Sequence, residues 1–164
     1  AYWHADDNGY LHMLGRYPAM LAPIVSGGKL LAIHRTYLGD GCKADVPTPK
    51  KLTAAAGPLV GACIPLAAPH GGVLGIAEGI ETAAAASLGS GLPVVAAYCA
   101  NALAGFALPR GIERLVIFAD HDPAGQQAAA TLAQRATRAG LTSKTLTPSK
   151  PGSDWADVWL EGMQ

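Results

Sequence analysis

Leu115-Val116-Ile117-Phe118-Ala119-Asp120-His121-Asp122-Pro123-Ala124-Gly125 is the stretch that decides the fold. An apolar run of five reads as a buried strand, and a carboxylate follows it at once. Asp122 before Pro123 is an N-cap and first-turn pair, so the strand turns straight into a helix. Good helix formers then run to Gly140, which predicts a helix over about 124–139. Working backward, Val73-Leu74-Gly75-Ile76-Ala77 is a second apolar run, and Glu78-Gly79 ends it in the same way. Strands are further expected near 93–98 and 143–147, with helices over about 80–89, 102–107 and 154–160. Strands recurring about every 20 residues with helices between imply βαβ units and a mostly parallel sheet. Right-handed crossovers place helices on both of its faces. The fold class is therefore α/β. The uncharged segment Thr82–Pro109 is read as helix, strand and helix in a core, because Gly89, Gly91, Pro93, Asn101 and Gly105 break it up.

Residues 1–70 have another character. Ala22–Ser26 and Leu30–Leu38 flank Gly27-Gly28, a hairpin signal. Pro47, Pro49, Gly57 and Pro58 bracket what reads as a loop carrying Lys50 and Lys51. The expected organisation is a small β-rich subdomain over 1–70 and an α/β domain over 71–164.

Charge is scarce and unevenly placed. The 164 residues carry 12 Lys plus Arg and 12 Asp plus Glu, so net charge names no partner. Residues 71–164 hold eight of the acids, six of them being Glu78, Glu81, Asp120, Asp122, Asp154 and Asp157. Side chains at the carboxyl ends of strands in an open α/β sheet converge on one crevice. Carboxylates gathered there repel unless a cation lies between them, and Mg²⁺ prefers such oxygens. Asp120 and Asp122 are the candidate metal ligands. Glu78, at the matching strand end, is a further ligand or a general acid–base whose pKa like charges would raise. Gly79 lets a phosphate approach the backbone. Glu81 favours the helix dipole. Asp154 and Asp157 read as a helix cap on sequence alone, and Trp155 and Trp159 as a packed helix face.

Lys29, His34, Arg35, Lys43, Lys50 and Lys51 form a loose basic set that suits a phosphate backbone. Tyr2, Trp3, Tyr10, Tyr17 and Tyr37 suit core packing better than base stacking. Cys42, Cys63 and Cys99 form no C-x-x-C pair, which argues against a zinc module and gives no disulfide framework. A reducing cytosol is expected. The chain starts with Ala and has no signal-peptide pattern, as a piece of a longer protein would. No P-loop is present: Gly28-Lys29 is followed by Leu30, and Pro23 stands at the first Gly position.

Glu78-Gly79, Asp120-x-Asp122-x-x-Gly125 and Asp154, in this order, resemble a Toprim domain over about residues 72–161. Glu78–Ala83 and Ala119–Gly125 are most similar to segments of primase-like proteins from phages and plasmids, a class of mobile elements. Residues 12–60 resemble the region preceding Toprim in those proteins. The resemblance implies Mg²⁺ (or Mn²⁺) on Asp120 and Asp122 with help from Asp154, and Glu78 as acid–base or additional ligand. It implies RNA primer synthesis on single-stranded DNA from ribonucleotides, with a helicase or zinc module elsewhere in the full-length protein. A Toprim nuclease, and a non-enzymatic DNA- or nucleotide-binding module, are the rival expectations. A topoisomerase is not expected, for no further acid stands near Gly125.

Overall fold

The computed structural model describes residues 1–163. Its centre is a four-stranded parallel sheet made of β6 (Val73–Ala77), β7 (Val94–Ala96), β8 (Arg114–Phe118) and β9 (Thr142–Leu146), in the spatial order β7-β6-β8-β9. The expected α/β class is what the chain adopts. The second strand is shorter than 93–98, because Tyr98 turns the backbone out of line with φ of +75°. The helices are α1 (Ile80–Ser90), α2 (Ala100–Gly105), α3 (Pro123–Arg138) and α4 (Trp155–Glu161).

Strand alternation sorts the core into two layers. Leu74, Ile76, Leu115 and Ile117 pack with Leu103, Phe106, Ala129 and Leu132 from α2 and α3. Ala77, Val116 and Phe118 face the other way, against Ala83 and Ala86 of α1 and Trp155 of α4. Gly75 lies on this second side, where a Cβ would stand 2.8 Å from Val94 Cγ2 and 3.1 Å from Phe118 Cε2. The glycine is what lets Phe118 lie across β6 and meet the Trp155 ring edge-on, at 5.7 Å and 88°.

The first part of the chain is antiparallel throughout. β1 (Tyr2–Ala5) pairs with β2 (Leu11–Gly15), and β3 (Ala19–Ser26) with β4 (Lys29–Tyr37) and then β5 (Lys50–Leu52). The Gly27-Gly28 hairpin forms as expected, with φ of +55° and +76°, the mirror-image turn geometry that suits strand twist. β3 tolerates Pro23 because it is an edge strand. Ala22, Ile24 and Ala32 from this hairpin join the layer around α1. The antiparallel bridge Ile64↔Ala96 carries the chain along the outer edge of β7. Tyr2, Tyr17 and Tyr37 form a small cluster of their own, whereas Trp3 and Tyr10 are exposed. One expectation fails here: Lys50 and Lys51 lie on a strand. The prolines only flank it, and three residues are too few for a pattern to show.

Candidate active site

The chain runs from β6 to β7 on one side and returns to β8 on the other, with α1 and α3 on opposite faces. The reversal lies between β6 and β8, where open α/β sheets hold their ligands. Ala77 pairs with Phe118 in register, so Glu78 and Asp120 leave adjacent strands one and two residues later. They line a cleft of about 500 Å³ together with Asp154, Thr82, Lys43 and Lys50.

Asp120 is the most perturbed acid. Burial first, then the charges of Glu78, Asp154 and Asp122, push its carboxyl up to about 7, against an opposing pull from Lys50. Its Oδ1 is buried and accepts no hydrogen bond. Burial and the Asp122 charge also raise Glu78, though the Ala100 N–H at the start of α2 and the Lys50 charge oppose them. Asp122 is exposed and does not line the cleft. Its Oδ1 accepts from Gly125 N–H at 2.7 Å and caps α3. It thus caps a helix, as its place before Pro123 implied, while its charge reaches both other acids.

Gly125 has a steric purpose. A Cβ there would lie 3.0 Å from the Asp120 carbonyl oxygen and 3.2 Å from Asp120 Cβ. The first turn of α3 therefore rests directly on the residue it presents. Gly125→Ala should force Asp120 back by a few tenths of an ångström. We expect a stability loss of about 1–3 kcal/mol, read by urea denaturation, and at least a tenfold loss of any Asp120-dependent activity.

Asp154 comes to the cleft from 34 residues downstream of Asp120, and the loop before it is tied to the acidic turn. The His121 Nδ1–H donates to the Pro148 carbonyl at 2.8 Å. His121 N–H donates to Ser153 O, and Gly152 N–H to His121 O, at 2.9 and 2.8 Å. Asp154 then makes the capping box expected of it, accepting from Ala156 and Asp157 N–H through Oδ1. Its Oδ2 faces α1 and accepts from the Thr82 hydroxyl at 3.2 Å. His121 and Thr82 are thus positioning residues of the site; Thr82 lies inside the Glu78–Ala83 segment, but its partner was not legible.

The basic set divides along β4 and β5. Alternation puts His34, Thr36, Lys50 and Leu52 on one face and Arg35 and Lys51 on the other. Lys50 reaches the cleft and donates to Glu81 Oε2 at 3.2 Å; Lys43 reaches Glu81 Oε1 at 2.9 Å. Burial raises the Glu81 carboxyl, but its own N–H and the two lysines outweigh that and hold it at about 2. Glu81 is therefore an ion-pair partner at the mouth of the cleft. Arg35 donates to the Leu52 carbonyl and lies over Tyr37. Lys51 binds the Trp3 carbonyl and lies 4.0 Å above the Tyr2 ring. Lys29 starts β4 five residues before His34, roughly 17 Å along the strand at its usual rise. These three are not brought to the acids. Gly79 is, as the N-cap of α1 with no side chain capping it.

Among the described residues, no three His, Cys, Asp or Glu side chains close on a single point. The acids line an open cleft. An orphaned, buried carboxylate oxygen in a cleft that Glu78 and Asp154 also line fits a hard cation with some water in its shell. Among the described residues, no helix is long and apolar enough to cross a membrane.

Similarity to known proteins agrees with this layout. The Toprim domain family matches residues 73–163, and a domain of unknown function, DUF7146, matches residues 2–63. No curated protein matches the chain. A DNA primase domain from Pseudomonas aeruginosa is similar at 16% identity and a TM-score of 0.59, over 97% of this chain and 52% of that one. The DnaG primase catalytic domain bound to single-stranded DNA is similar at 17% identity and 0.63, over 97% and 53%. The primase fragment of the bacteriophage T7 primase-helicase protein is similar at 18% identity and 0.58, over 87% and 57%. The chain thus spans about half the length of the solved structures it matches. At such identities the likeness is one of fold, shared with about half of each of these primase structures. With its family matched over more than half of its length, the chain belongs to the Toprim family.

Proposed function

We propose that this chain is the catalytic core of a primase-like nucleotidyltransferase, joining ribonucleotides on a single-stranded DNA template. The observation that carries this is the buried, unpartnered Asp120 carboxylate in a cleft whose other wall supplies Lys43 and Lys50. Acids alone would serve a metal store; acids opposite ammonium groups serve a metal and a polyphosphate together. Residues 71–164 supply the acids, and residues 1–70 supply the cations.

Asp120, Asp122 and Asp154 would hold Mg²⁺ or Mn²⁺, with Glu78 as a further ligand or as acid–base. The bound cation supplies charge neutralisation of the attacking and leaving oxygens. Burial and the Asp122 charge raise the pKa of Glu78, which makes it a better acceptor for the proton of an attacking hydroxyl. Lys43 and Lys50 are positioned to neutralise phosphate oxygens once released from Glu81. Gly79, the N-cap of α1 with no side chain capping it, offers a backbone approach to phosphate. Thr82 and His121 hold Asp154 in place.

The test is incubation with end-labelled single-stranded DNA, labelled ribonucleotides and Mg²⁺ or Mn²⁺, with products sized on a denaturing gel. New ribonucleotide-containing chains, absent with Asp120→Asn, are the expected result. Shortened DNA that is lost with the same variant would instead assign a nuclease. Binding of DNA that survives replacement of Glu78, with neither product formed, would assign a non-enzymatic module.

A further inference from the structure

The face of β4 and β5 that carries Lys50 also carries a second cavity. It measures about 220 Å³ and is lined by His34, Lys50, Lys51, Leu52, Tyr98 and Cys99. Lys50 and Tyr98 line the acidic cleft as well, so the two hollows adjoin through two shared side chains. Tyr98 is held in a backbone conformation that side chains resist, with φ of +75°. Its hydroxyl donates to the Leu59 carbonyl at 3.0 Å, which fixes the ring at the partition. Strain of this kind gathers at ligand-binding sites.

His34 is the polar group of this cavity. It is 6% exposed. Its Nδ1 lies 3.5 Å from Thr36 Oγ1, at the outer limit of a hydrogen bond. Among the described residues no hydrogen bond reaches its Nε2, and that atom is not one of the buried atoms left unpartnered, so it is open to the cavity. A ring nitrogen that is open on the wall of the cavity can take a partner from a group that enters it. Burial and then the Lys50 charge lower the pKa of His34, with Glu81 opposing, which favours the neutral ring. A neutral imidazole offers one donor and one acceptor. That matches a hydroxyl, which can both accept and donate. The hollow is open and joins the cleft through Lys50 and Tyr98, so it suits the part of a nucleotide that lies next to its phosphates. A sugar next to the phosphates needs a hydroxyl partner and an apolar wall, which Leu52 and Tyr98 supply.

We propose that this cavity seats the ribose of the nucleotide whose phosphates lie in the acidic cleft, and that His34 recognises its 2′-hydroxyl. The assignment rests on the nucleotide-joining function proposed above. It is tested by titrating the protein in Mg²⁺ with ATP and with 2′-deoxy-ATP, and by following alkylation of Cys99 through peptide mass spectrometry. The wild type should bind ATP at least tenfold more tightly than 2′-deoxy-ATP. His34→Phe should bring the ratio near one, and His34→Gln, which keeps a donor and an acceptor, should restore part of it. ATP should slow Cys99 alkylation where inorganic triphosphate does not, a readout that stands even if the Phe variant fails to fold. Equal binding of the two nucleotides by the wild type, or a ratio unchanged in His34→Phe, overturns the proposal and leaves nucleotide joining intact. No binding of either nucleotide overturns both.

Discussion

Replacing Asp120 by Asn is expected to abolish nucleotide joining, by a factor on the order of 10³ or more, and at the same time to stabilise the metal-free protein. The two effects share one cause. The carboxylate is held where it is needed and where folding alone does not favour it. Its folded pKa is about 7 against an ordinary 3.8. Above pH 7 the group is ionised in both folded and unfolded chains, and only the folded chain bears the cost of burial and repulsion. As pH falls from 7 towards 4, the folded form protonates first and the cost disappears. The gain from Asn is thus largest near pH 8 and absent below about pH 4. The gap between 3.8 and about 7 sets a ceiling of about 4 kcal/mol. Discounted for the water that reaches this half-buried carboxyl, about 1–2 kcal/mol remains. Thermal denaturation in chelator at pH 8 and pH 4 measures it. Added Mg²⁺ should raise the wild-type midpoint and leave that of the Asn variant alone, through simple binding linkage. A variant no more stable than wild type at pH 8 would refute this account of the site.

Phe118→Ala is expected to have the largest effect on stability. Phe118 is buried, fills the space left by Gly75, and meets Trp155 of α4 edge-on. Removing a core phenyl ring costs about 3–5 kcal/mol, a large part of the 5–15 kcal/mol typical of a domain. Urea unfolding followed by circular dichroism gives the value. The loss should be felt at a distance too. Trp155 is the first residue of α4, and Asp154 is its cap, so unseating the ring loosens the acid. Metal affinity should therefore fall in Phe118→Ala although no ligand has changed.

How much of this was legible in the sequence follows from how locally each feature is encoded. Glu78 and Asp120 could be placed because each ends an apolar run, and strand ends in a parallel sheet converge by construction. Asp122 could be read as a cap from Pro123 alone. From its own residues Asp154 read as a cap, and the Toprim resemblance alone made it a metal ligand, because what brings it to the cleft is a set of bonds between His121 and residues 148–153. Nothing in the spacing announces those. The basic residues were the least legible. Lys50 and Lys51 are neighbours in sequence, yet strand alternation sends one to the acids and the other to Tyr2. That distinction exists only once β5 pairs with β4, and three residues between prolines carry no periodicity. The β1–β2 hairpin was missed as well, although Asp6-Asp7-Asn8-Gly9 supplies turn chemistry. Asp6 Oδ1 there accepts from the N–H groups of Asn8 and Tyr10.

The central sheet is closed at one border and open at the other. Along β7 the outer backbone is met by Ile64, through the bridge to Ala96. Along β9 no strand lies outside among the described residues. Any growth of this sheet, whether by a foreign strand, a second copy or an aggregating neighbour, is therefore one-directional. Lys144, exposed at the middle of β9, is a charge that discourages such pairing. The acidic crevice lies at the strand ends, so additions at β9 would lengthen the sheet sideways without crossing the mouth of the cleft.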